Sequence, residues 1–79
     1  MAIRLSELQA GERGRVTELR LPPEQAGTLL RLGLLPGAEI LCLRRCPLGD
    51  PTVYRFRGTD LALRRRETAL IRIEPGVCE

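Results

Sequence analysis

Histidine, lysine, asparagine and tryptophan do not occur in this sequence, and serine occurs once, at Ser6. The side chains that most often move protons in enzymes are therefore missing, and a phosphate loop of the G-x-x-x-x-G-K type cannot be written without lysine. Aspartate and glutamate could act as bases only where burial raised their pKa, and nothing in the order of elements brings two of them together. Catalysis is not expected, no catalytic residue is assigned, and any nucleotide hydrolysis would belong to a partner. Aromatic residues are as scarce: Tyr54 and Phe56 are the whole supply. Grooves that stack nucleic-acid bases, and grooves that read proline-rich peptides, are both built on exposed aromatic rings, so both functions are disfavoured.

Long apolar runs are missing too. The richest stretch, Ala26 to Leu43, is interrupted by Arg31, Pro36 and Glu39, whereas a membrane helix needs roughly 20 mostly apolar residues. Residues 1–9 carry Arg4 and Glu7 and contain no signal-peptide core. A cytoplasmic protein is expected, in which the three cysteines remain thiols, an odd number being a poor disulfide framework.

What is present is a 79-residue chain, 43% hydrophobic, punctuated by eight glycines and six prolines and carrying a net charge of +3. No linker or repeat divides it, so residues 1–79 read as one domain, large enough to bury only about 60% of its unfolded surface. All thirteen basic residues are arginines. Together with the missing lysine and asparagine, this is the usage of a GC-rich genome, and it carries little functional weight by itself.

The punctuation places the elements. Leu5 to Leu8 suggests a brief helical turn capped by Ser6, with a strand from Gly14 to Leu19. Pro22, Pro23 and Glu24 suit a helix N-terminus, and Ala26, Leu29, Leu30 and Gly33 fall on one face, which predicts a helix over Pro23 to Leu32 with that face buried. Gly33 can end it in the left-handed conformation, a Schellman ending that folds Leu34 back onto Leu29. Leu35-Pro36-Gly37-Ala38 reads as a type II turn. Strands follow at Glu39 to Cys46 and Thr52 to Arg57, joined by the loop-forming Pro47 to Pro51, then at Leu61 to Arg64 after a tight Gly58 to Asp60 connection, and at Ala69 to Glu74 after a turn at Arg65 to Thr68. Tyr54 and Phe56 share one face of their strand and Val53, Arg55 and Arg57 the other, so the aromatic face should point inward. About five antiparallel strands, one α-helix and short helical turns make a mainly β protein, and a sheet this small hides its edges best by curling into a barrel.

Leu30-Arg-Leu-Gly-Leu-Leu-Pro-Gly37, Pro47-Leu-Gly-Asp-Pro51, Gly58-Thr-Asp-Leu-Ala-Leu-Arg-Arg65 and Ile71-Arg-Ile73, in this order and after Leu5-x-x-Leu8-x-x-Gly11 and Val16, resemble the pattern of the FeoA family over nearly the whole chain. The resemblance implies an SH3-like barrel that works with FeoB, the membrane ferrous iron permease carrying a cytoplasmic GTPase domain. It also implies likeness to the C-terminal domain of DtxR-type metal-dependent repressors, although the chain has no room for the DNA-binding and dimerisation segments of such a repressor. An accessory role in ferrous iron uptake is expected, with a nucleic-acid-binding basic barrel or a metal-sensing module as the alternatives.

Iron invites a search for ligands. Cys42 and Cys46 on one straight strand would stand about 13 Å apart, too far for one metal with sulfur bonds near roughly 2.3 Å. Cys42 is expected in the core, Cys46 at the strand end and Cys78 in the tail. Glu39, Asp50 and Asp60 would suit Fe²⁺ chemically but are not clustered in sequence. No metal site or cofactor is assigned, while weak transition-metal binding stays compatible with the residues. The Arg64-Arg65-Arg66 triplet reads as a solvated turn. A protein-binding role remains, and its candidate residues are Leu35, which neither the helix ending nor the turn requires, with Arg31 beside it and Leu48 at the hairpin tip.

Overall fold

In the computed structural model, which describes residues 2–45 and 50–76, the chain runs β1 (Ile3–Arg4), a 3-10 turn (Leu5–Glu7), β2 (Arg13–Leu19), α1 (Pro23–Leu32), β3 (Glu39–Arg45), β4 (Thr52–Phe56), β5 (Thr59–Leu63), α2 (Arg65–Thr68) and β6 (Ile71–Pro75). The strands form one antiparallel sheet in the order β1-β6-β2-β3-β4-β5. Laid flat, its two edges would be about 24 Å apart. A single hydrophobic cluster nevertheless contains Leu63 from β5 at one edge and has Ile3 from β1 at the other packed against it, which requires the sheet to curl around the core.

Alternation decides which side chains face that core. Val16, Ile40, Cys42, Tyr54, Phe56, Ile71 and Ile73 are buried, while Arg13, Arg15, Glu39 and Arg55 stand on the outer face. Both aromatics point inward as expected. Gly14 on β2 packs against β6; a Cβ there would come within 2.8 Å of Ile73 Cδ1 and 3.1 Å of the Glu74 carbonyl oxygen. Closure is fastened by Arg45, whose Nη2 donates to the carbonyls of Ser6 (3.1 Å) and Leu8 (2.7 Å), tying the end of β3 to the 3-10 turn.

The helix has the predicted bounds and the predicted ending. Gly33 adopts φ 103°, its N–H donates to Leu30 O at 3.0 Å, and Leu34 N–H donates to Leu29 O at 2.9 Å, the bond pair of a Schellman motif. Leu34 is fully buried. The next four residues form the predicted turn, Ala38 N–H donating to Leu35 O at 3.0 Å with Gly37 at φ 95°. Two further bonds, Gly37 N–H to Val16 O at 2.7 Å and Val16 N–H to Ala38 O at 2.9 Å, seat this turn on β2.

Several expectations are corrected. The sheet has a sixth strand, β1, whose two residues pair with Ile73 and Arg72. Ser6 does not cap the first turn: Leu5, its side chain drawn fully into the core, is the first residue of the turn, and the cap position falls two residues earlier, to Arg4, with no side-chain capping bond. Arg57 leaves β4 for a two-residue hairpin turn with Gly58, at φ 52° and 78°, so Thr59 and Asp60 already belong to β5; such short loops favour positive φ at both positions because that twist matches the strands. Arg65 to Thr68 is a helical turn, held by Glu67 Oε1 accepting from Arg64 N–H (3.0 Å) and Asp50 Oδ1 accepting from Arg65 N–H (2.8 Å). It takes Ala69 and Leu70 with it and delays β6 to Ile71. Leu30 is exposed rather than buried: α1 meets the barrel along a narrow stripe, occupied by Leu29 and part of Ala26, with Leu34 filling the space below.

Leu34→Ala is expected to destabilise the fold by about 2 to 5 kcal/mol, seen as a lower midpoint in thermal or denaturant unfolding. Leu35→Ala should leave that midpoint within about 0.5 kcal/mol of the parent.

Candidate functional site

The end of α1 and the turn after it present the sequence-predicted partner residues. Arg31 lies exposed in the last turn of the helix and Leu35 opens the following turn, 38% exposed, next to the fully buried Leu34. Leu48, the third candidate, lies outside the described residues. Two further leucines near the helix end, which the sequence reading did not assign, are exposed, Leu30 by 42% and Leu32 by 41%. Leu30, the residue after Leu29, points about 100° further round the helix and so cannot follow it inward, and helical spacing alone could not show how narrow the buried stripe would be.

The candidate metal ligands are dispersed. Cys42 is fully buried in the core, and burial pushes its thiol above the ordinary range, opposed by the nearby Arg45. Cys46 and Cys78 lie outside the described residues. A bulge falls in β3 between Cys42 and Arg44, so the straight-strand separation no longer measures the distance between the first two cysteines. Of the carboxylates, Glu39 faces Arg15 at 3.6 Å, Asp50 caps α2, and Asp60 is held by Arg55 at 2.7 Å, three separate engagements. Among the described residues no group of three or more potential metal ligands converges. A pocket of about 400 Å³ at α1 and α2, lined by Glu24, Gln25, Thr28, Leu29 and Glu67, brings two carboxylates near each other, but Glu67 is already committed to the Arg64 backbone N–H.

The remaining titration shifts have structural causes. Burial raises the Tyr54 phenol, whose oxygen lies 3.5 Å from the Leu5 carbonyl. The Arg55 guanidinium, hydrogen-bonded to Asp60, lowers that carboxyl below the usual range. Arg64, Arg65 and Arg66 are exposed around the start of α2. Among the described residues no helix is long and apolar enough to cross a membrane.

A curled antiparallel sheet with one α-helix places the protein among small SH3-like β domains. Within that class the chain belongs to the FeoA domain family, whose model matches residues 3–75. The FeoA protein of Chlorobium tepidum has the same fold, with 40% identity and a TM-score of 0.89, over 92% of this chain and 70% of that one. The zinc complex of Stenotrophomonas maltophilia FeoA, described as a prokaryotic SH3 domain protein, aligns with a TM-score of 0.79 at 26% identity, covering 91% of this chain and 89% of that one. A Porphyromonas gingivalis fusion of Fe(2+) transport protein A with the Fe(2+) transporter FeoB is 31% identical over 72 residues. That match takes in 91% of this chain, which spans 8% of the fusion protein's length.

Because its thiol is both enclosed and held protonated by burial, Cys42 should stay unmodified when the folded protein is treated with N-ethylmaleimide near neutral pH, and react once denaturant is added. Peptide mapping by mass spectrometry reads this site separately from the other two cysteines; rapid labelling of Cys42 in the folded state would contradict the closed core.

Proposed function

We propose that this chain is an accessory protein of bacterial ferrous iron uptake that acts on the cytoplasmic side by binding an FeoB-like permease. The observation that carries this reading is the Porphyromonas gingivalis relative, in which parts named for both proteins are one polypeptide. Joining two units covalently raises the concentration of each around the other, which is useful when they act together.

The docking surface in this reading is the end of α1 with the turn that follows, where Leu30, Leu32 and Leu35 are exposed and Arg31 supplies a charged margin. Apolar anchors within a polar rim are the usual anatomy of a protein interface. Leu48 stays a candidate for the same surface. The chain contributes binding and positioning, with GTP hydrolysis and iron passage assigned to the permease. Transition-metal binding, where it occurs, is weak in this reading, since the candidate carboxylates Glu39, Asp50 and Asp60 are each engaged elsewhere. Nothing favours the nucleic-acid alternative: Tyr54 and Phe56 are each 1% exposed and offer no stacking platform.

The test is calorimetry or pull-down against the cytoplasmic domain of the cognate permease, with and without guanine nucleotide. Leu35→Ala should weaken binding by about 1 kcal/mol or more, as truncation of an interface anchor does, while its melting curve stays that of the parent. Equal affinity for both proteins would remove Leu35 from the interface. No binding by the parent chain under any nucleotide condition would count against the partnership itself. Purified protein alone should leave GTP unhydrolysed; turnover that rises with protein concentration and survives repurification would require a catalytic site that the reading does not contain.

A further inference from the structure

The outer face of the sheet holds a second feature, unrelated to the leucines. Cross-strand pairing sets Arg13 opposite Leu41, Leu41 opposite Arg55 and Arg55 opposite Asp60, a single row across β2, β3, β4 and β5, and sets Arg15 opposite Glu39 on the same side. Where β4 turns into β5, Arg57 and Gly58 border this row, and together with Arg13, Glu39, Leu41 and Arg55 they line a cleft of about 240 Å³.

The acids of this face are already engaged. Asp60 accepts from Nε and Nη2 of Arg55 through its two oxygens, at 2.7 and 3.1 Å, and Glu39 faces Arg15 at 3.6 Å. Arg13 and Arg57 have no ion pair or side-chain hydrogen bond among the described residues. The stem of Arg57 lies over Gly33, where a Cβ would come within 2.7 Å of its Cδ. Two unpaired guanidinium groups therefore flank a floor that includes the half-buried Leu41.

We infer that this cleft is the docking site for an acidic segment of a protein partner, whose carboxylates pair with Arg13 and Arg57 while an apolar side chain between them covers Leu41. Guanidinium and carboxylate match in a two-point geometry, and the face already uses that geometry between Arg55 and Asp60. Arg13 stands on β2 and Arg57 just past the end of β4, two strands over and two residues further along, about 12 Å away, which about four residues of extended chain span. The apolar floor favours a peptide over a free anion. A phosphate backbone fits poorly, because Glu39 and Asp60 interrupt the positive row and no aromatic ring is exposed for a base. Since this face is separate from Leu35, the inference stands or falls independently of the leucine surface.

The experiment is a titration of the whole, ¹⁵N-labelled protein with an acetylated and amidated peptide, Glu-Glu-Leu-Glu-Glu, followed through backbone amides and arginine Nε–H signals. Comparison ligands are the glutamine counterpart Gln-Gln-Leu-Gln-Gln, a single-stranded oligonucleotide and phosphatidylglycerol vesicles. The glutamate peptide should shift Arg13 and Arg57 Nε–H and the amides of Leu41 and Gly58, and the glutamine peptide should not. Exposed ion pairs are individually weak, so Arg13→Gln and Arg57→Gln should each raise Kd about threefold and the double variant about tenfold, with Arg66→Gln unchanged. Shifts spread evenly over all arginines, no shift at Arg13 and Arg57, or stronger perturbation of these residues by the oligonucleotide or the vesicles would overturn the inference.

Discussion

The hydrogen bond from Leu34 N–H to Leu29 O, possible because Gly33 takes a left-handed conformation, organises the first half of the molecule. It stops α1 and reverses the chain, carrying Leu34 into the core while Leu35 emerges on the surface. The turn that begins at Leu35 then bonds to both backbone groups of Val16, which sets where β3 starts against β2. Helix ending, sheet register and exposed leucine are therefore one event. A side chain at position 33 would meet positive φ and the stem of Arg57 together, so the helix end and the β4–β5 hairpin also constrain each other.

The proposed surfaces share a logic that follows from small size. A domain that buries one modest core has few residues to spare for an interior site, and here the interior is occupied by aliphatic side chains, Cys42, the two aromatics, Thr52 and Thr68. The outside supplies the exposed side chains on which the proposed surfaces are built. One outer region offers leucines at the end of a helix, the other arginines on a sheet face, and the stem of Arg57 over Gly33 lies at the boundary between them.

The sequence was most readable where a single residue type has a strong local preference. Two prolines before a helix, a glycine after it, and Pro36-Gly37 in a turn each act within a few residues, and those elements appear with the expected bounds. It was least readable where distant segments decide. Ile3 and Arg4 are too few to show a strand pattern and become β1 only because β6 offers them an edge. Arg65 to Thr68 reads as a turn until Asp50, fifteen residues away, is found bonded to its first N–H. The bulge after Cys42 breaks the alternation that a straight strand would keep. Leu35 could be singled out by elimination, since every neighbour already had a structural task. The arginine cleft could not, because Arg13, Leu41 and Arg55 become neighbours only through pairing across three strands.

The antiparallel pairing of β1 with β6 sets Ile3 against Ile73 and Arg4 against Arg72, so the outer ends of the first and last strands leave the barrel side by side. A load applied across these two points would act at right angles to the strands and open the inter-strand bonds one after another, as a zipper opens, instead of shearing them all at once. With only two residues in β1, this seam is the mechanically soft edge of the domain, and the longer pairing of β6 with β2 behind it would bear the load next.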